Sequence, residues 1–377
     1  MAGIYIHVPF CKTRCIYCDF YSTTRDDMKR RYVQALCKEL RMRRDYLKGE
    51  PVETIYFGGG TPSQLDEEDL ATIFDTLQEV YGLEHAQEIT FEANPDDLTE
   101  SYVAMLRRFL INRISMGIQT FDDATLQLLH RRHTSQEAKD AVYRCKEAGL
   151  SNISIDLIYG LPGQTKEMWA NDLHEAIKLS PTHLSAYLLT YEEGTPLFRM
   201  RQAHQVNEAD EDLSLQFFRM LADTMKREGF IHYEISNFCR PGRHSRHNTS
   251  YWRGIPYLGC GPSAHSFDTV SREWNSPSLM DYITQIERGE RPHEKETLTP
   301  DMCYNEYVMT GLRTTWGISI YKVLNRFGSP RLRYLERMAA PHIERGTMVL
   351  RSGHLKLTEE GFFVSDDIIS DLMYVAE

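Results

Sequence analysis

The chain has 377 residues, of which 41% are hydrophobic and 26% are charged, as in a soluble globular protein with more than one domain. The net charge of −11 argues against nucleic-acid binding, which needs clustered Lys and Arg. No apolar run approaches the ~20 residues that span a bilayer, and the N-terminal residues lack a secretory-signal pattern. We therefore expect a cytoplasmic protein whose eight cysteines stay reduced unless they bind metal.

Six short apolar segments alternate with helical patterns along the first half of the chain. The predicted strands are 4–7, 52–57, 88–93, 113–118, 153–157 and 183–189. The predicted helices are 26–48, 67–80, 100–110, 124–130, 136–147 and 166–179. This alternation is typical of βαβ units with parallel strands and right-handed crossovers. Six repeats are too few for a closed eightfold barrel, so the sequence predicts an open, partial (β/α)6 barrel.

The alternation fades after residue 197, and the remaining sequence predicts two further parts. A helix is predicted over 210–227, followed by Pro-, Gly- and aromatic-rich sequence. From residue 299 a mostly helical stretch leads to short apolar runs at 348–350 and 354–357. We therefore predict a barrel over 1–235, a linker or extension over 236–298, and a small, mostly helical, winged-helix-like C-terminal domain over 299–377.

Three of the eight cysteines, Cys11, Cys15 and Cys18, crowd into one short loop after the first predicted strand. Thiolates are the usual ligands of iron–sulfur clusters, and three of them can bind three irons of a cubane. The fourth iron then keeps an open position, which a catalytic metal site requires. The alternatives are a zinc site that lacks one ligand, or free thiols. We predict a [4Fe–4S] cluster on this loop.

The spacing of this cysteine loop after a first strand resembles that of the radical S-adenosylmethionine (SAM) superfamily. The resemblance implies that the open iron chelates the amino and carboxylate groups of SAM. A glycine run at 58–62 follows the second predicted strand and resembles the superfamily element that contacts the methionine amino group of SAM. Taken alone, a glycine triplet is more often a simple turn, but glycines also let the backbone approach a ligand closely.

A closer resemblance, to the oxygen-independent coproporphyrinogen III oxidase family, covers nearly the whole chain. The stretches that carry it are 5–11, 58–62, 91–95, 115–121, 156–165 and 259–266. It implies SAM contacts by Tyr5, Tyr17, Gly59, Gly60, Thr61 and Glu92. It also implies a second SAM site at Gln119, Arg131 and Asp156. Without the resemblance, Glu92 and Asp156 would be interpreted as solvent-facing acids at strand ends.

Two features distinguish the branches of this family. The oxidase carries a further cysteine two positions after the third, where this chain has Phe20. The sequence His247-Asn248-Thr249-Ser250-Tyr251-Trp252 resembles the HNxxYW motif of the heme chaperone branch, HemW. The resemblance therefore implies a heme chaperone that delivers heme to acceptors such as respiratory enzymes. The alternatives are the oxidase itself and a radical SAM enzyme with an unrelated substrate.

Within this motif, His247 is predicted as an axial heme ligand, because imidazole is a common choice for heme iron. Two aromatic residues follow it, and three arginines beside it could meet the propionates: Arg243, Arg246 and Arg253. The competing ligands are His265, His7 and Cys239. The alternative is a polar loop cap with two core aromatics. The resemblance also implies an electron donor, leaves a homodimer open, and allows peripheral attachment at the inner membrane face.

Overall fold

The computed structural model describes residues 1–375 and contains a central sheet with a small domain at its C-terminal end. The first six strands are β1 (Ala2–Val8), β2 (Val52–Gly59), β3 (Glu88–Ala93), β4 (Arg113–Gln119), β5 (Ile153–Tyr159) and β6 (His183–Leu188). The helices between them are α1 (Lys29–Met42), α2 (Glu67–Tyr81), α3 (Glu100–Leu106), α4 (Asp123–Leu128), α5 (Ser135–Glu147) and α6 (Lys166–Lys178). Each predicted strand and helix of this region is present, with ends that differ by a few residues.

Local sequence explains where these elements begin and which face they bury. Helix α2 begins after Asp66, whose carboxylate accepts the Asp69 amide at 3.0 Å while the Asp69 carboxylate accepts the Asp66 amide at 3.2 Å. On β1, Ile4 and Ile6 are fully buried in the main core, whereas Tyr5 faces the other side and is partly exposed. The parallel strands therefore pack one face on the helices and turn the other toward the barrel interior.

The following segment returns to the same sheet and extends both of its edges. Its elements are α7 (Pro196–Gln202), α8 (Glu211–Arg227), β7 (Ile231–Glu234), β8 (Asn237–Cys239), α9 (Arg246–Trp252), β9 (Tyr257–Cys260), β10 (His265–Phe267), β11 (Ser271–Asn275), α10 (Leu279–Arg288) and β12 (His293–Thr297). The strand order is β12-β11-β10-β9-β1-β2-β3-β4-β5-β6-β8-β7. Strands β1 to β6 are parallel to one another, β9 is parallel to β1, and the other pairings are antiparallel.

The two edge strands, β12 and β7, do not pair with each other anywhere in the described chain, so the sheet stays open. This confirms the predicted partial barrel. The segment 236–298 supplies five of the twelve strands. Within this segment, which we predicted as a linker or extension, α9 carries His247 and lies against β1 and β2 of the barrel.

The C-terminal part has the element order of a winged helix. It comprises α11 (Pro300–Leu312), β13 (Ile318–Ser319), α12 (Ile320–Glu344), β14 (Met348–Arg351), β15 (His354–Leu357), α13 (Glu359–Phe363) and α14 (Ser365–Leu372). Gly328, at φ +80°, breaks α12 into two helices, and β13-β15-β14 form a small sheet. Its core includes Phe218 of α8, which joins the domain to the barrel. Among residues 1–375, no helix is both long and apolar enough to cross a membrane.

Candidate functional site

The three loop cysteines lie just after β1, at the end of the sheet where parallel strands place active-site loops. Each is partly exposed, and two of the sulfur atoms accept hydrogen bonds from neighbouring elements. The Thr61 hydroxyl donates to Cys11 Sγ at 3.3 Å, and Arg131 Nη1 donates to Cys15 Sγ at 3.4 Å. The Cys18 amide donates to the Cys15 carbonyl oxygen at 3.3 Å. Burial raises the pKa of the Cys11 thiol, and the hydrogen bond from Thr61 opposes this shift.

Within residues 1–375, no three His, Cys, Asp or Glu side chains surround one ion-sized position. Burial raises the pKa of the Cys18 thiol to about 11, so iron must displace a proton when it binds there.

The glycine run at the end of β2 packs directly against the start of the cysteine loop. Gly59 has φ +105°, and a Cβ there would lie 2.6 Å from His7 Cε1. A Cβ on Gly60 would lie 2.8 Å from the Val8 carbonyl oxygen and 2.9 Å from that of Phe10. We expected these glycines to leave room for a ligand. The side on which a Cβ would lie is occupied by β1 and its loop, so the missing side chains let β2 pack directly against the start of the cysteine loop.

The interior face of the sheet carries a chain of buried acids and hydroxyls. The Tyr56 hydroxyl donates to Glu92 Oε1 at 2.6 Å, and the Ser115 hydroxyl donates to Asp156 Oδ2 at 3.1 Å. Burial raises the pKa of Glu92 to about 7, and nearby Asp156 raises it further against the hydrogen bond from Tyr56. Burial also raises the pKa of Asp156. Carboxylates desolvated in this way are candidate contacts for a cationic ligand.

The predicted second SAM site converges on Arg131. Its Nη2 donates to Asn94 Oδ1 at 2.8 Å and to the Gly117 carbonyl oxygen at 2.5 Å. Gln119 follows at a bulge in β4 with φ +71°, a conformation that costs energy for a residue other than glycine. Tyr17 lies beside Arg131 and the cluster loop. The loop and the ends of β2, β3, β4 and β5 therefore bring the predicted SAM residues to one end of the barrel.

His247, the predicted heme ligand, stands apart from this group and is buried against the sheet. Its ring is 1% exposed. Nδ1 lies 2.9 Å from Thr54 Oγ1, and Nε2 lies 2.7 Å from the Tyr251 hydroxyl oxygen. Burial lowers the pKa of His247 to about 3. A neutral ring with both nitrogens occupied offers nothing to a heme iron unless α9 first moves away from the sheet.

Arg113 on β4 is a candidate functional residue that the sequence analysis did not identify. Its side chain is 2% exposed, and Nε and Nη1 have no hydrogen-bond partner among the residues that the structure describes. A buried guanidinium normally binds an anion, a carbonyl or ordered water. The available signal was the charge itself, because Arg113 begins an otherwise uncharged strand.

Comparison with known proteins agrees with this architecture. The Radical SAM superfamily model matches residues 5–176, and the HemN C-terminal domain model matches residues 298–364. Two proteins named heme chaperone HemW, from Lactococcus lactis and Bacillus subtilis, are 32% and 31% identical to this chain. Each comparison covers 98% of this chain, and 96% and 98% of the respective relative.

Among solved structures, coproporphyrinogen III oxidase (HemN) from Escherichia coli superposes with a TM-score of 0.85 over 99% of this chain and 90% of that chain. At 22% identity, this likeness establishes the fold alone. An open parallel barrel with a three-cysteine loop after β1 defines a protein of the radical SAM superfamily. Given the relatives that align along nearly the whole chain, the protein belongs to the HemW family.

Proposed function

We propose that this protein is a heme chaperone with a radical SAM core, which binds heme and transfers it to acceptor proteins. The observation that carries the proposal is the full-length similarity to relatives named heme chaperone HemW. Phe20 supports it, because the oxidase branch carries a cysteine at this position. Phe20 is 64% exposed beside the cysteine loop and cannot act as a metal ligand.

The residues at the end of the barrel suit a cluster and SAM. Cys11, Cys15 and Cys18 would hold three irons. Around them, the predicted SAM contacts are Tyr5, Tyr17, Gly59, Gly60, Thr61, Glu92, Gln119, Arg131 and Asp156. When bound, such a cluster supplies the electron for reductive cleavage of SAM. In this chain, Thr61 and Arg131 donate hydrogen bonds to the sulfur atoms of two of the cysteines. The interior face of the barrel keeps the carboxylate of Glu92 desolvated.

The alternative function is the oxygen-independent oxidation of coproporphyrinogen III. The observation that favours it is the convergence of Gln119, Arg131 and Asp156 near the ends of neighbouring strands, where the oxidase family is expected to bind a second SAM. Phe20 argues against it. A radical SAM enzyme with an unrelated substrate remains a third candidate.

The partners of a chaperone follow from its cargo. We propose heme-acceptor proteins such as membrane-associated respiratory enzymes, and a protein electron donor that reduces the cluster. Contact with such acceptors is consistent with a cytoplasmic protein that attaches peripherally to the inner membrane face. A homodimer is a further proposal, which sedimentation of the reconstituted protein would test.

The decisive experiment measures heme binding and porphyrinogen turnover on one anaerobically reconstituted sample. We expect a stoichiometric complex with hemin, and no conversion of coproporphyrinogen III in the presence of SAM and a reductant. Authentic oxidase in parallel shows that the turnover assay works. Steady conversion of coproporphyrinogen III would overturn the chaperone proposal in favour of the oxidase.

A further inference from the structure

Arg113 and Thr90 form a buried polar pair on the interior face of the barrel. They lie directly opposite each other on β4 and β3, so their side chains share a face of the sheet. Their chain neighbours Ile89, Phe91 and Ile114 pack in the main core, which turns the pair toward the interior. Arg113 is 2% exposed and Thr90 is fully buried. Among residues 1–375, neither the Thr90 hydroxyl nor Nε and Nη1 of Arg113 have a hydrogen-bond partner.

The acids near Arg113 have other partners. Glu92 Oε1 accepts the Tyr56 hydroxyl at 2.6 Å, and Asp156 Oδ2 accepts the Ser115 hydroxyl at 3.1 Å. Burial raises the pKa of both acids, and the charge of Arg113 is among the effects that oppose this rise. In the described part of the chain, however, neither acid forms an ion pair with Arg113. The carboxylates therefore feel the guanidinium charge without binding the guanidinium.

The two histidines near Arg113 are neutral and also hydrogen-bonded elsewhere. Nδ1 of His183 lies 2.8 Å from Ser154 Oγ, and its Nε2 lies 2.7 Å from the Tyr233 hydroxyl oxygen. His247 has both nitrogens engaged, as described above. Burial, followed by the charge of Arg113, lowers the pKa of both rings. Since a guanidinium stays protonated in proteins, the N-terminal end of β4 carries a fixed positive charge inside the barrel.

An unpaired buried charge is too costly to leave without a partner, so something must occupy the space beside Arg113. Water would accept its hydrogen bonds but would leave the charge uncompensated, because burial favours the neutral form of nearby Glu92. The occupant must be small, since both Arg113 and Thr90 are enclosed. It must also accept hydrogen bonds, because the free groups of Arg113 are donors and the Thr90 hydroxyl can donate as well. A monatomic anion meets all these requirements.

We propose that the interior of the barrel binds a halide ion, chloride under ordinary conditions, between Arg113 and Thr90. The guanidinium and the Thr90 hydroxyl donate hydrogen bonds to the ion. The site lies where β4 begins, whereas the cysteine loop lies at the opposite end of the parallel strands. The ion offsets a charge that would otherwise oppose a cationic ligand at Glu92 and Asp156. This inference goes beyond the proposed function and does not depend on heme.

The direct test is diffraction from the full chain, reconstituted and crystallised anaerobically in sodium bromide. We expect an anomalous difference peak for bromide beside Arg113 and Thr90. The solution test is thermal unfolding in sodium chloride, compared with sodium gluconate at equal ionic strength. The melting temperature should rise with chloride and reach saturation, as expected for a ligand that binds only the folded chain. Gluconate is too large for the enclosed site and should not reproduce this rise.

Three variants connect the chloride response to the pair. Thr90→Val keeps the shape of the side chain and removes a buried hydroxyl that has no partner, so in gluconate the variant should be at least as stable as wild type. In chloride, the concentration that gives half of the rise in melting temperature should be several-fold higher for Thr90→Val than for wild type. Arg113→Met should abolish the response. The control is Arg219→Met, at an exposed position of α8, which should respond like wild type.

Two results would overturn the inference. One is a bromide-grown crystal with no anomalous peak beside Arg113, whether or not ordered water fills the space. The other is a chloride response of Thr90→Val that equals that of wild type. If Arg113→Met fails to fold, Thr90→Val and the crystal still decide the question. The heme-binding experiment is independent, so failure of the halide site leaves the chaperone proposal intact.

Discussion

Replacing Glu92 with Gln should stabilise the protein, and more so as the pH rises. Burial raises the pKa of Glu92 from 4.5 to about 7. The folded chain therefore binds a proton at Glu92 more tightly than the unfolded chain does. The stability that the Glu92 carboxyl contributes is complete below its pKa in the unfolded chain. This contribution falls as the pH rises and is lost above about pH 7. The shift corresponds to about 3 kcal/mol at neutral pH and above.

Gln removes this cost and keeps an oxygen that accepts the hydrogen bond from the Tyr56 hydroxyl, which is 2.6 Å from Glu92 Oε1. With the average unfolding entropy per residue, 3 kcal/mol raises the melting temperature of a 377-residue chain by about 4 °C. The gain should be nearly complete at pH 8 and small near pH 5. SAM binding should weaken in the same variant if Glu92 contacts this cation.

The assay is anaerobic thermal unfolding of wild-type protein and Glu92→Gln at several pH values between 5 and 8. Glu193→Gln, at an exposed loop position, is the control and should show no pH-dependent difference from wild type. Two results would refute the argument from desolvation. One is a Glu92→Gln protein that is less stable than wild type at pH 8. The other is a difference in melting temperature from wild type that is the same at pH 5 and at pH 8.

Three further predictions concern the loop, α9 and the glycine run. Replacing Cys11, Cys15 or Cys18 with Ala should in each case abolish the cluster iron and its absorbance. The control variant Cys145→Ala, in the buried core, should keep both. His247→Ala should lower the free energy of unfolding by about 3 kcal/mol, because two buried hydroxyls lose a partner and a cavity forms. A loss below 1 kcal/mol in urea unfolding would contradict this. Gly60→Ala should impair cluster incorporation, since its Cβ meets two carbonyl oxygens within 2.9 Å, while Gly163→Ala, with open space beside it, should load normally.

The parallel half of the barrel could be predicted because each of its strands has its own local signal. An apolar run of suitable length is followed by a helix with a capping residue, as Thr134 and Glu137 show at the start of α5. The order of parallel strands then follows from right-handed crossovers between neighbours. The cysteine loop and the acids fall at strand ends, so the site near the cluster followed from the fold.

The strands after β6 could not be predicted in the same way. β8, β9 and β10 have only three or four residues each, too few to show periodicity. They form strands because they pair with the edges of the sheet that the earlier strands build. Strand β9, for example, pairs with β1 from Gly3 with Tyr257 to Ile6 with Cys260. Pairing partners that are some 250 residues apart leave no local trace, so this part of the sheet is visible only in three dimensions.

The same limit applies to the predicted heme ligand, His247. A motif that begins with His and ends with two aromatic residues looks like a ligand followed by apolar walls, and the sequence holds no information about which ring is buried. Helix α9 turns His247 inward, where Thr54 and Tyr251 take both nitrogens. By contrast, β10 places His265 at an exposed position, where its ring stacks on Trp274. Which histidine is buried and which is exposed is therefore decided by long-range packing and not by the residues that flank it.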